Sequence, residues 1–202
     1  MKHPFVGIGP GRCGTLSLSV IVNSCVNCEA FHEKYLTSWR MNNDDKASLD
    51  RMCGQFSSSD YVIGDVSLTH LNKIDWLRDR IPQLKVVCLH RPKEEVAKSW
   101  DRWCFGRALP NKNFCETDKD IEWHYRYSPN NNVDALDVWR EWWDCAENIM
   151  EKVDNAIHLN TKDLNDDQKL NELFDYLEIR PDDRVFDQMR HHHSGTKRLR
   201  FL

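Results

Sequence analysis

Short runs of consecutive apolar residues recur along this chain. Between them lie longer stretches in which apolar positions return every three or four residues. The runs cover residues 5–8, 61–63, 85–89 and 156–159, with 26–31 a weaker member. Their length, β-branched content and Gly, Asp or Pro boundaries predict strands covered on both faces. The stretches of helical period cover 14–23, 67–81, 92–102, 133–153 and 169–177. Within 67–81, Leu68, Leu71, Ile74, Leu77 and Ile81 keep helical spacing, and Pro92 stands where a proline opens a helix. Strands alternating with helices predict an α/β fold, a three-layer sandwich around a central, mainly parallel sheet of about five strands.

One segment breaks this rhythm. Residues 103–132 are polar and aromatic, with Trp103, Phe105, Phe114, Trp123, Tyr125 and Tyr127 ahead of a Ser-Pro-Asn-Asn-Asn stretch. So long an interruption reads as a lid or binding loop. Residues 1–202 are therefore expected to form one domain carrying a lid-like insertion at about 103–132, a size suited to a single α/β unit. The net charge of −4, from 28 Lys and Arg against 32 Asp and Glu, argues against a protein that coats nucleic acid or an anionic membrane. The amino-terminal apolar stretch is too short for a secretion signal, and no run approaches the length that spans a bilayer, so a cytoplasmic location is expected. Of the eight cysteines only Cys25 and Cys28 form a CxxC pair. No second pair completes a zinc site, and reduced cysteines packed at a strand are the expectation, with a redox pair as the alternative.

The strongest local signal is Gly7-Ile8-Gly9-Pro10-Gly11-Arg12-Cys13-Gly14-Thr15-Leu16-Ser17. A strand that runs through glycines into a helix offers backbone N–H groups and the positive helix end to an anion. Arg12 adds a charge, and Thr15 and Ser17 add hydroxyls. Three readings compete. An ATP- or GTP-binding loop needs Gly-Lys-Ser/Thr, which Arg12-Cys13-Gly14-Thr15 replaces. A dinucleotide fingerprint matches Gly9-x-Gly11-x-x-Gly14, with Glu29 near the place of a ribose-binding acid. The third is a resemblance: a basic residue, Ser or Cys, then Gly-Thr at the first strand–helix junction resembles the 5′-phosphosulfate loop of sulfotransferases. A second motif fits it. Arg91 ends the strand 85–89 region and Ser99 follows eight residues later, and that family places an Arg and a Ser in this register on the 3′-phosphate of 3′-phosphoadenosine-5′-phosphosulfate (PAPS). An Arg fork suits a phosphate dianion, and a hydroxyl completes its shell.

The resemblance implies a P-loop-like sulfotransferase fold and transfer of a sulfuryl group from PAPS to a hydroxyl or amine, giving the bisphosphate PAP, with no metal. It places Gly11, Arg12, Cys13, Gly14, Thr15, Leu16 and Ser17 around the 5′ end of the nucleotide, and Arg91 and Ser99 at the 3′-phosphate. Gly195, Lys197 and Arg198 would close over the nucleotide from a late loop. Arg12 is the implied catalytic cation. Glu33 is the first choice of base, His32 the second and His70 the third. The acceptor would be a small molecule or a carbohydrate. The rival readings are a kinase-like nucleotide-binding enzyme, a non-catalytic PAP-binding module and an NAD(P) oxidoreductase. The run His191-His192-His193 is a poor metal site, because adjacent side chains cannot all face one ion from a helix or a strand.

Overall fold

The computed structural model describes residues 4–35, 37, 43–105 and 135–186. Most of the lid-like segment, the His191–His193 run, and Gly195, Lys197 and Arg198 lie outside the described residues. Five strands form one sheet: β1 (Phe5–Ile8), β2 (Cys28–His32), β3 (Val62–Val66), β4 (Lys85–His90) and β5 (Ala156–Asn160). Their order is β2-β3-β1-β4-β5 and every pairing is parallel, with Phe5 opposite Gly64 on one side and Lys85 on the other. Six α-helices are described: α1 (Thr15–Ser24), α2 (Asn43–Ser58), α3 (Ile74–Arg78), α4 (Lys93–Phe105), α5 (Ala135–Met150) and α6 (Asp167–Tyr176). The architecture is the expected three-layer α/β sandwich.

Each apolar run supplies two cores at once, because alternate residues of a strand face opposite sides. Phe5, Val87 and Leu89 pack with Leu18, Ile21 and Val22 of α1 and with Leu170, Leu173 and Phe174 of α6. Val6, Ile8, Val86 and Cys88 face the other way, onto Leu49, Met52 and Phe56 of α2, Leu77 of α3 and Ala146 and Met150 of α5. Consecutive residues of β4 are thus buried with no polar alternation, as a parallel sheet covered on both faces requires.

The structure departs from the sequence reading in three places. Helix α2 falls in a stretch that carries no helical prediction. It is polar, with mean apolar content confined to a narrow buried stripe of Leu49, Met52 and Phe56. The helix predicted over 67–81 is instead a 3₁₀ segment, Leu68–Lys73, followed by the short α3. Asn72 leaves helical geometry at φ −97°, ψ 18°, and the two pieces turn there. Helix α4 runs on to Phe105, so Trp103, Cys104 and Phe105 close a helix rather than begin the insertion.

Candidate functional site

The carboxyl ends of the parallel strands gather the loops that hold the predicted site. After β1 the chain takes a left-handed conformation at Gly11 (φ 74°), Arg12 (φ 55°) and Gly14 (φ 95°). A side chain at Gly11 would strike the Trp100 ring at 2.6 Å, so both the conformation and the close approach demand glycine. Gly14 is also the N-cap of α1 and supplies no side-chain cap. The first intrahelical bond into it is Leu18 N–H to the Gly14 carbonyl at 2.9 Å. The amides of Thr15, Leu16 and Ser17 precede that bond and have no partner within the helix, so they present donors at its positive end.

The loop is held by its carbonyls. Trp100 Nε1 of α4 and Trp142 Nε1 of α5 both donate to the Pro10 carbonyl, at 3.1 and 2.7 Å. Thr161 Oγ1 donates to the Cys13 carbonyl at 2.7 Å and lies 3.1 Å from the His90 carbonyl. Arg91 Nη1 donates to the Arg12 carbonyl at 2.8 Å, and Trp143 Nε1 donates to the Arg91 carbonyl at 2.8 Å. The stacked rings of Trp100 and Trp139, 4.8 Å apart, join α4 to α5 beside the loop. None of these tryptophans stands among the predicted site residues. The signal was present, since Trp139, Trp142 and Trp143 share one face of a helix at spacings of three and four.

Arg12 lies on the surface and donates from Nε to Ser99 Oγ at 3.2 Å. Arg91 is half-buried and also pairs with Glu95 at 2.9 Å. Arg12, Arg91 and Ser99, which belong to two separate sequence motifs, therefore meet at one corner. Cys13 is fully buried, and burial pushes its thiol up to about 12, so it remains a protonated packing group. Leu16, by contrast, is 45% exposed on the first turn of α1.

A second corner lies across the ends of β2 and β3. Thr15 Oγ1 and His32 Nε2 are 3.1 Å apart, which ties the phosphate-type loop to the end of β2. Glu33 follows, half-buried and left-handed at φ 57°, with its N–H donating to the Val66 carbonyl at 3.2 Å. The next two amides, Lys34 and Tyr35, donate to the Asp65 carboxylate at 3.0 and 3.4 Å. His70 Nε2 reaches the same carboxylate at 2.8 Å, and neither Asp65 nor His70 exposes any side-chain surface. His70 Nδ1 is buried without a hydrogen-bond partner among the described residues. Lys73 is also buried and donates to the Thr69 carbonyl and Asn72 Oδ1, both at 2.8 Å. Burial brings its ammonium down to about 8, against the opposing pull of Asp45.

A five-stranded parallel sheet in this order, with a glycine loop opening α1 at the carboxyl end of its central strand, defines a P-loop-like α/β protein. Similar solved structures include a sulfotransferase from Alicyclobacillus acidocaldarius, with a TM-score of 0.60 and 14% identity over 94% of this chain and 89% of that one. A sulfotransferase from Mycobacterium tuberculosis gives 0.50 and 14% over 94% of this chain and 70% of that one. A sugar kinase from Janibacter sp. gives 0.50 and 13% over 92% of this chain and the whole of that one. At such identities the likeness concerns the fold, which sulfotransferases and kinases share. No protein-family model matches the sequence, and no curated protein matches it. Among the described residues no cluster of His, Cys, Asp and Glu could hold a metal ion, and no helix is long and apolar enough to cross a membrane.

Proposed function

We propose that this chain is a sulfotransferase that moves the sulfuryl group of PAPS to a hydroxyl or amine of a small-molecule or carbohydrate acceptor and leaves PAP. The observation that carries the proposal is the meeting of Arg12, Arg91 and Ser99 beside the uncapped amino end of α1. Two guanidinium groups, a hydroxyl and a row of helix amides suit a ligand with phosphates at two positions. The fold it shares with solved sulfotransferases supports the same reading.

Sulfuryl transfer needs the reacting oxygens in line, a cation where charge gathers on the leaving phosphate, and an acceptor for the proton. In this reading the amides of Gly14, Thr15 and Leu16 hold the 5′-phosphate, with the hydroxyls of Thr15 and Ser17 beside them. Arg12 faces the bridging oxygen. Arg91 and Ser99 hold the 3′-phosphate, and both exchange their present partners, the Arg12 carbonyl and the Arg12 guanidinium, for the nucleotide. Glu33 takes the acceptor proton. A non-glycine residue kept left-handed costs about 1–2 kcal/mol, and here three amide bonds over 33–35 fix it. His32 is the second choice of base, bonded to Thr15. His70 is wholly enclosed with Asp65, which suits holding the 33–35 turn better than meeting an acceptor. The segment within 103–132 and the residues Gly195, Lys197 and Arg198 complete the site as a lid and a closing loop on a single domain, in a cytoplasmic protein.

A kinase-like reading has the sugar kinase fold in its favour, but Arg12-Cys13-Gly14-Thr15 lacks the lysine that reaches a γ-phosphate. Titration calorimetry separates the two. PAP is expected to bind without Mg²⁺ and more tightly than ATP or NADP. Tighter binding of Mg²⁺–ATP overturns the proposal. With PAPS and an acceptor, Glu33→Gln is expected to lower turnover by about 10²–10⁴-fold with PAP affinity unchanged. Unaltered turnover moves the base to His32.

A further inference from the structure

The CxxC pair sits at the end of the sheet opposite this site, and nothing in the transfer chemistry uses it. Cys25 is the C-cap of α1 in an extended conformation, and Cys28 opens β2. Val26 and the left-handed Asn27 (φ 56°) turn the chain between them. The turn is fastened from three directions: Cys25 N–H to the Val22 carbonyl at 3.1 Å, Val26 N–H to the Asp183 carbonyl at 2.8 Å, and Val62 N–H to the Asn27 carbonyl at 3.2 Å. The turn returns the chain on itself between the two cysteines, and neither is in a disulfide.

The Cys25 thiol donates to the Ile21 carbonyl at 3.8 Å and the Cys28 thiol to the Val26 carbonyl at 3.5 Å, and the nearby Cys28 side chain is the main influence bringing the Cys25 thiol down to about 7. Burial opposes the fall, the Val185 amide and Arg184 assist it, and Asp183 resists it. The other buried cysteines go the opposite way, since burial lifts Cys13 and Cys88 to about 12. Cys25 is enclosed at 4% exposure, while half-buried Cys28 lines a cleft of about 340 Å³ with Asn27, Val62, Ile179, Arg180 and Asp183. An accessible thiol with an enclosed partner thiol three residues back across a tight turn is the arrangement that thiol–disulfide exchange needs.

We propose that Cys25 and Cys28 are a modification site, a dithiol that small-molecule disulfides entering this cleft convert reversibly into an internal disulfide. Cys28 passes its proton to the Cys25 thiolate and attacks one sulfur of the small disulfide. A protein–small-molecule mixed disulfide forms, and one small thiolate leaves. That thiolate takes the proton from Cys25, whose sulfur then attacks Cys28 Sγ and expels the second small thiolate. Two protein sulfurs are oxidised by two electrons, and one small disulfide is reduced to one thiol and one thiolate, which takes its proton from water.

The test uses the full reduced chain with oxidised glutathione, followed by alkylation and peptide mapping. Exposed Cys145 serves as the internal control, since its glutathionylation reports that the reagent has acted. In the wild type, the tryptic peptide 13–34 is expected to lose two hydrogens and to lose alkylation at both Cys25 and Cys28, and dithiothreitol is expected to restore both. Cys25→Ser is expected to stop at a glutathione adduct on Cys28. Cys28→Ser is expected to leave Cys25 as an unmodified thiol over the same exposure. The proposal is overturned if wild-type Cys25 and Cys28 stay alkylatable once Cys145 is fully modified, or if the wild type accumulates the Cys28 adduct without the internal bond.

Discussion

The two corners at the carboxyl end of the sheet hold their charges in opposite ways. Around the β1 loop, neutral donors carry the load. Indole N–H groups and the Thr161 hydroxyl take the loop carbonyls, while Arg12 stays on the surface and Arg91 is only half-buried. Across the ends of β2 and β3, the polar side chains themselves are enclosed, with Asp65 and His70 sealed against each other and Lys73 buried close by in sequence. A surface guanidinium that holds a hydroxyl or a carbonyl can trade that partner for an anion at small cost, because water already solvates much of it. An enclosed carboxylate cannot trade, since leaving its partners strands it in a poor dielectric. In the proposed reading the first corner binds and the second holds shape.

This contrast is broken most severely at Asp65. Its carboxylate serves two backbone amides and the His70 ring, so Asp65→Ala leaves three polar partners unmet, the Tyr35 amide and His70 among them buried. The expected loss of stability is about 3–5 kcal/mol, from hydrogen-bond donors stripped of their acceptor at about 1–3 kcal/mol each. Denaturant unfolding measures it. A loss below about 1 kcal/mol would mean that water enters and replaces the carboxylate, and the two corners would then differ less than their geometry indicates.

Lys73, three residues beyond His70, gives the 3₁₀ segment a pH signature. Its folded pKa of about 8 lies below the ordinary 10.5. Between those values the unfolded chain binds the proton and the folded chain does not, so stability contributed by this group rises with pH across that window. The gain amounts to about 3 kcal/mol and is absent below about pH 8, where both states are protonated. Raised cysteine pKa values, such as that of Cys88, act in the reverse sense above their usual range. The readout is therefore the difference between wild type and Lys73→Met, measured at each pH. The wild type should gain on the variant as pH climbs from 8 to 10.5, and a flat difference would sink the burial argument.

The binding corner is expected to respond the other way round. Arg91→Ala should weaken PAP binding by about 1.5–3 kcal/mol, the range for a hydrogen bond to a charged group. The same change should leave the denaturation midpoint nearly unaltered, because a partly solvated side chain with an exposed carboxylate neighbour adds little to stability. Equal PAP affinity in the variant would detach Arg91 from the 3′-phosphate.

How much of this was legible in the sequence follows from where each signal resides. The fold was legible because a strand buried on both faces must be apolar throughout, as β4 is, and because α1, α5 and α6 each keep an apolar stripe. Helix α2 escaped because its buried stripe is thin and the rest of it is charged, and the break at Asn72 escaped because the apolar spacing runs straight through it. In the candidate site, the meeting of Arg12, Arg91 and Ser99 was readable, since charge and hydroxyl chemistry is carried by residue type and their register is fixed by one strand and one helix. The Asp65–His70 pair was not, because the path between them passes from a strand into a 3₁₀ turn and has no periodic signature. The tryptophans that hold the loop donate to backbone carbonyls, and a carbonyl has no residue identity for a sequence to display.

Those tryptophans yield the smallest effect and the finest test of the comparison. Trp142 and Trp100 share one acceptor, the Pro10 carbonyl, at 2.7 and 3.1 Å. Trp142→Phe keeps most of the ring and removes one of two donors, so the carbonyl remains satisfied by the other. The expected loss is at most about 1 kcal/mol. Trp100→Phe should cost a similar or smaller amount for the same reason. The double variant, however, leaves the Pro10 carbonyl without either indole, and its loss should exceed the sum of the single losses by about 0.5–1.5 kcal/mol. If neutral donors do hold the loop, PAP affinity should fall only in the double variant. Strictly additive stabilities would mean that the loop keeps its shape without the indoles, by its glycine conformations alone.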